Sequence, residues 1–271
     1  METHIKIETV RTDRLEMDYF RFGHGKETLV ILPGLSVQSV MGAADAVAEA
    51  YSLLTDDFTI YLFDRRRDLP AVYSLKGMAR DTAEAIRTLG LGPVCLFGTS
   101  QGGMAALCLA IEHPELVRRL VLGSASARIT DRENELFEAW IRLAKAGDAQ
   151  GLYLSFGEAV YPPAVFEQSR QLLIDAAKTV TEEELRRFVI LAETILDFNV
   201  LDEVEKIACP VLVIGSRDDR VLGGDASVQI AARLKDRGSS QLFLYDGYGH
   251  AAYDTAPDYK ERLLRFLSVS L

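Results

Sequence analysis

The chain has 271 residues, 48% of them hydrophobic and 26% charged, with a formal net charge of −10 and a pI near 5.0. This is the balance of a globular protein long enough to bury a sizeable core, and its acidity argues against nucleic acid or an anionic membrane as partner, since both are gripped through Lys and Arg. No run of about eighteen apolar residues is present to span a membrane, and Met1 to Asp18 lacks the apolar core of a secretory leader, so a cytoplasmic location is expected.

Residues 4 to 22 alternate apolar and polar, the pattern of a hairpin of half-exposed strands, and the turn Phe22-Gly23-His24-Gly25 follows. Thr28 to Leu32 reads as a buried strand running into Pro33-Gly34-Leu35-Ser36, and residues 37 to 54 read as an alanine-rich helix. Phe58 to Phe63 is another buried strand. It ends at Asp64 and gives way to Arg65-Arg66-Arg67-Asp68-Leu69-Pro70, expected to be a solvated polar loop, with attraction of an anionic substrate by the three arginines as the less favoured alternative. Apolar spacing predicts a helix over Met78 to Leu89, stopped by Gly90. Val94 to Phe97 is a short apolar strand, Met104 to Ile111 a helix that Pro114 stops, and Leu120 to Leu122 a further strand.

Residues 131 to 200 change character, being charged and helical with no buried strand. They divide into amphipathic helices over Arg132 to Ala146, Leu152 to Val160, Pro163 to Val180 and Glu182 to Phe198. The strand pattern resumes at Val211 to Ile214, followed by a helix over Ala226 to Leu234, a strand over Leu242 to Tyr245 and a terminal helix over Asp258 to Leu267. Strands alternating with helices predict an α/β protein with a mostly parallel sheet covered on both faces. The domain reading is a core of residues 1–123 and 201–271 with a helical lid inserted at 124–200. Ligands of such sheets bind beyond the carboxyl ends of the strands.

Gly98-Thr99-Ser100-Gln101-Gly102 joins a strand to a helix and matches G-x-S-x-G. Glycines at 98 and 102 permit the tight turn that would lift the Ser100 hydroxyl to the strand end above a helix N-terminus. The bland alternative is an ordinary Gly-rich turn in a Rossmann-like sheet. A serine nucleophile needs a base within hydrogen-bond reach, and the chain has only four histidines. His4 lies in the N-terminal strand, His24 in the hairpin turn, and His113 roughly 20 Å along the helix that follows Ser100. His250, in the glycine-rich loop Asp246-Gly247-Tyr248-Gly249-His250, remains. A carboxylate must then orient the imidazole. Asp218 or Asp219, after the strand Val211 to Ile214, could serve; Asp219 is preferred, with Asp218 as the turn-forming residue.

The order Ser100, Asp219, His250, the elbow around Ser100 and the inserted helices resemble the α/β-hydrolase superfamily. Val-Leu-Val-Ile-Gly-Ser-Arg-Asp-Asp-Arg-Val resembles that superfamily's acid-bearing strand and loop, which supports Asp219, and Gly-Tyr-Gly-His-Ala resembles its histidine loop. The resemblance covers residues 4 to 123 and 201 to 271 and implies an oxyanion hole built from the backbone N–H groups of Gln101 and Leu35. Two departures stand out. Pro33-Gly34-Leu35 replaces the usual His-Gly-x, and the arginine-rich stretch after Asp64 lacks the glycines relatives carry there.

The expected activity is that of a cofactor-free serine hydrolase acting on a small or medium carboxylic ester. The same residues would suit an enol-lactone, a thioester, an N-terminal peptide bond or a C–C bond. Haloalkane dehalogenation is disfavoured because it needs Asp at position 100. Glu158, Glu167 and Glu193 in the lid could bind a substrate amine, although such acids are more often solvated. From another class, a ligand receptor or scaffold that keeps the fold without turnover remains open. The lid aromatics Phe137, Trp140, Tyr153, Phe156, Tyr161 and Phe188 read as packing, some of them lining an acyl pocket. Cys95, Cys108 and Cys209 show no metal-site spacing and read as small hydrophobes. No metal and no cofactor is expected, the partner is a small acyl substrate, and the chain is a monomer or homodimer.

Overall fold

A computed structural model describes residues 4–235 and 238–269. The parts of the expected core segments and of the leader reading that fall on residues 1–3, 236–237 and 270–271 lie outside the described residues. One eight-stranded sheet organises the chain. Its strands are β1 (Ile7–Arg11), β2 (Glu16–Phe22), β3 (Glu27–Leu32), β4 (Phe58–Arg66), β5 (Val94–Thr99), β6 (Val117–Gly123), β7 (Val211–Ser216) and β8 (Ser240–Tyr245), in the order β1-β2-β4-β3-β5-β6-β7-β8. The hairpin β1–β2 is antiparallel and joins β4 antiparallel; from β4 to β8 every pairing is parallel.

The helices are α1 (Ala44–Ala50), α2 (Leu75–Thr88), α3 (Gln101–Glu112), α4 (Asp131–Lys145), α5 (Ala149–Val160), α6 (Pro163–Ala177), α7 (Glu182–Glu193), α8 (Ala226–Leu234), α9 (Ala252–Thr255) and α10 (Tyr259–Leu267). Successive strand residues point to opposite faces, and both faces of the sheet are covered. Val30 and Leu96 share one core cluster with Met78, Met104 and Ile230 of α2, α3 and α8. Leu29, Ile31, Cys95 and Phe97 meet Leu263 and Phe266 of α10 on the other side. This two-sided burial is why β5 and β7 read as unbroken apolar runs, every residue of both being buried.

Helices α4 to α7 form the block between β6 and β7. Its interior is the aromatic packing expected of Phe137, Trp140 and Phe188, all buried. Phe137 meets Trp140 edge-on at 5.2 Å, and Trp140 Nε1 donates to Ser155 Oγ at 3.1 Å. The block closes over the carboxyl ends of the strands through defined bonds. Tyr153 hydroxyl donates to Gln38 Oε1 in the loop after β3, and Arg220 after β7 donates to the carbonyls of Glu158 and Tyr161.

Several boundaries differ from the sequence expectation. The helix expected over 37 to 54 is a short α1 between 3₁₀ turns at Val40–Ala43 and Ser52–Leu54. Helix α2 begins earlier, at Leu75, because Ser74 caps it by accepting from Gly77 N–H. The last helix of the block stops at Glu193 rather than Phe198, and Asp197 beyond it has φ of 57°, incompatible with a continuing helix. His4 precedes β1 rather than lying in it. The turn of helix α9 was not expected at all. The stretch from Arg65 is the main correction: β4 continues through Arg66, and Arg65 is buried rather than solvated.

Candidate active site

The site grows from the junction of β5 and α3. Ser100 sits there with φ of 51° and ψ of −122°, a backbone state costing on the order of 1–3 kcal/mol that the surroundings must enforce. They do so by close approach. A Cβ at Gly98 would collide with the Gly102 carbonyl, and one at Gly102 with the carbonyls of Leu32 and Pro33. The turn is therefore clamped between its own helix and the end of β3, and Ser100 N–H is tied to Gly123 O at 2.9 Å.

Three side chains meet above this junction. Ser100 Oγ lies 2.9 Å from His250 Nε2, and His250 Nδ1 lies 2.8 Å from Asp219 Oδ2. All three residues are buried. The second oxygen of Asp219 accepts from the N–H groups of Val221 and Leu222 at 2.8 and 3.0 Å, which fixes the carboxylate toward the imidazole. Asp218, its neighbour, turns away. It accepts from Ser216 Oγ at 2.7 Å and from Gly247 and Gly249 N–H at 3.0 and 3.1 Å, and so joins the acid loop to the histidine loop. Burial works against its ionisation, but these three donors outweigh it and hold its pKa below the ordinary carboxylate range. The other histidines pair elsewhere: His4 with Asp45, His24 with Asp56 and His113 with Glu115.

The loop after β3 lies against the serine. A Cβ on Gly34 would stand 3.3 Å from Ser100 Cβ, and the next residue, Leu35, is buried. Among the described residues neither Leu35 N–H nor Gln101 N–H has a protein acceptor. These two donors are thus free for a ligand beside the hydroxyl. Sequence reasoning missed what holds them. Arg65 Nη2 donates to Pro33 O at 2.6 Å and to Gln101 Oε1 at 3.1 Å. Gln101 Nε2 in turn donates to Leu191 O and Thr194 Oγ1 at the end of α7. Burial pushes the Arg65 guanidinium pKa down, partly offset by the neighbouring Asp64 carboxylate. Alternation along β4 carried the signal, since Arg65 falls on the same face as Tyr61 and Phe63.

A cavity of about 320 Å³ opens beside Gly34 and Leu35, walled by Tyr153, Phe156 and Tyr161 of the helical block and by Tyr253 and Asp254 of α9. Of the six aromatics expected in the block, three therefore pack and three line space. A hollow of about 590 Å³ between α4 and α7 touches none of the three meeting side chains. Among the described residues, no group of three or more His, Cys, Asp or Glu is placed to hold a metal ion, and no helix is long and apolar enough to cross a membrane.

The sheet order, the strained serine turn and the helical block between β6 and β7 define a class of protein, and comparison with known proteins agrees with it. The family model described as the alpha/beta hydrolase fold matches residues 27–257, and the chain belongs to this family. Among curated relatives, proteins provisionally named as the carbamate hydrolase RutD are similar along nearly their whole length. The one from Agrobacterium fabrum is 28% identical over 258 residues, covering 90% of this chain and 96% of the relative. That from Rhizobium rhizogenes is 26% identical over 250 residues, covering 89% and 92%. Among solved structures, MGS-M2, an alpha/beta hydrolase enzyme from a Medee basin deep-sea metagenome library, superimposes with a TM-score of 0.86 at 19% identity, covering 97% and 98% of the two chains. The enol-lactonase from Burkholderia xenovorans LB400 gives 0.82 at 16% identity, covering 97% and 100%.

Proposed function

We propose that the chain is a serine hydrolase that cleaves small or medium carboxylic esters through an acyl-enzyme, with residues 124–200 serving as a lid. The observation that carries this reading is the unbroken contact from Ser100 Oγ through His250 to Asp219, at 2.9 and 2.8 Å. Ser100 Oγ attacks the acyl carbon while His250 Nε2 takes its proton; Asp219 orients the ring and balances the imidazolium. The carbonyl oxygen becomes an oxyanion received by the N–H groups of Leu35 and Gln101, each such donor contributing about 3 kcal/mol to the transition state. Collapse expels the alcohol, which leaves with the proton from Nε2. Water then repeats the sequence on the acyl-enzyme, releasing the acid and restoring the serine.

A second reading is favoured by the names of the curated relatives: the acyl carbon attacked belongs to a carbamate rather than an ester. The same three residues serve both, since fold and triad do not select the substrate. The test is fluorophosphonate labelling of the intact protein, followed by turnover of a p-nitrophenyl ester series alongside matched carbamates. Labelling is expected in the parent and absent in Ser100→Ala, with ester turnover falling at least 10³-fold, within the range known for removal of a serine nucleophile. Absence of labelling together with unchanged turnover in Ser100→Ala would overturn the mechanism. Binding of the panel with no turnover at all would identify a non-catalytic receptor instead.

A further inference from the structure

The cavity beside Gly34 and Leu35 contains a charged group that the proposed mechanism does not use. Asp254 lines it, four residues beyond His250 on the single turn of α9. No hydrogen bond or ion pair is made by its carboxylate among the described residues. The residue keeps solvent access, while the protein packed around it desolvates the carboxylate and raises its pKa, with Lys260 and His250 opposing. No Lys, Arg or His lines the cavity. The nearby ammonium of Lys260 is engaged elsewhere, bonded to Tyr253 O and set over the rings of Tyr51 and Tyr259. Gln38, the one side-chain amide in the wall, spends its N–H groups on Thr179 and Glu184. The rest of the wall is mostly apolar and includes the rings of Tyr153, Phe156 and Tyr161.

We propose that this cavity receives substrates carrying an ammonium group, with Asp254 as the carboxylate that pairs with it and the aromatic wall as its apolar and cation–π surround. The proposal rests on the reading of Ser100 as nucleophile only in taking this cavity as the substrate's site. Among the described residues Asp254 is the one formal charge in the cavity wall, and a ligand cation supplies the partner that no side chain there provides. Charge-assisted pairing of this kind is stronger than a neutral hydrogen bond, and aromatic faces add attraction for the same charge. Neither Ser100 nor His250 lines the cavity itself, but its wall residue Gly34 packs against Ser100 and its wall residue Tyr253 stands edge-on to His250 at 6.2 Å, so the cavity adjoins the side chains proposed to react. The acids Glu158, Glu167 and Glu193, which the sequence offered for such a role, lie outside the cavity.

The test compares n-butylammonium with 1-butanol, its neutral counterpart in shape, by NMR titration of the full chain carrying Ser100→Ala. The cation is expected to bind about tenfold tighter, and the added change Asp254→Asn to reduce that preference to near unity. Should Asp254→Asn fail to fold, Asp254→Ser removes the same charge. In parallel, the kcat/KM ratio of p-nitrophenyl 3-aminopropanoate to p-nitrophenyl butanoate is expected to fall about tenfold in Asp254→Asn relative to the parent. Equal binding of the two probes, or a preference that survives loss of the carboxylate, overturns the proposal. The two readings fail separately: ester turnover independent of Ser100 with the cation preference intact sinks the nucleophile and keeps the site, while normal Ser100 chemistry without that preference does the reverse.

Discussion

The strand-end loops and the helical block hold their charges in opposite ways. In the loops, Asp219 and Asp218 are held by backbone N–H groups, and each faces one partner element. In the block, most ionic pairs sit in water, such as Lys145 with Glu193, Arg170 with Glu167 and Lys178 with Asp175, while Arg187 with Asp64 is half-buried against β4. A carboxylate caged by backbone donors has one available position, whereas an exposed pair is screened and contributes little. The first arrangement fixes chemistry to single residues. The second leaves a helix free to change sequence as long as its apolar stripe survives.

Three substitutions would sharpen or break that contrast. The largest effect is expected at Asp219→Asn. The amide cannot balance the imidazolium or enforce the correct tautomer, so kcat should fall about 10⁴-fold with the fold retained, as read by steady-state kinetics and circular dichroism. A loss below tenfold would mean that His250 is oriented by something else. Asp218→Asn should act on stability, by about 1 kcal/mol after allowance for its solvent exposure. Because folding depresses this pKa, its stabilising contribution is present above the ordinary value of 3.8 and is lost as pH falls through the lower folded-state value. The gap between parent and variant in urea denaturation should therefore be wide at pH 7 and close toward pH 3; a gap that widens on acidification contradicts this account. Smallest is Lys145→Ala in the block, expected to change stability by less than about 0.5 kcal/mol and to leave ester turnover intact. A thermal shift of several degrees would show that its surface pairs carry more than exposure suggests.

How much of this was legible beforehand follows the same division. The parallel sheet was readable because its strands are buried on both faces and so appear as unbroken apolar runs such as Val94 to Phe97. Ser100 and Asp219 were singled out because each stands just after such a run, whereas His250, beyond the half-exposed edge strand β8, was reached by elimination among four histidines. Asp219 was preferred over Asp218 on the resemblance of the acid loop, and the geometry shows what separates the two neighbours, Asp219 facing His250 and Asp218 the N–H groups of Gly247 and Gly249. Arg65 was misread because three successive arginines suggest solvent, although strand alternation turns the first of them inward. Asp254 was invisible, because nothing in the spacing His250-Ala251-Ala252-Tyr253-Asp254 announces that the chain coils once there and aims an acid into a hollow walled by a segment a hundred residues earlier.

The Gln101 side chain has a consequence for how the cleft opens. One of its ends is gripped by Arg65, which also holds Pro33 at the base, and the other reaches Leu191 and Thr194 overhead. Roof and floor thus share a latch. Lifting α7 away strands a buried amide without acceptors, at a cost of about 1–3 kcal/mol, and loosens the residue whose own N–H faces the developing negative charge. If Gln101 N–H receives the oxyanion as proposed, admission of a bulky molecule and readiness of that donor are mechanically opposed.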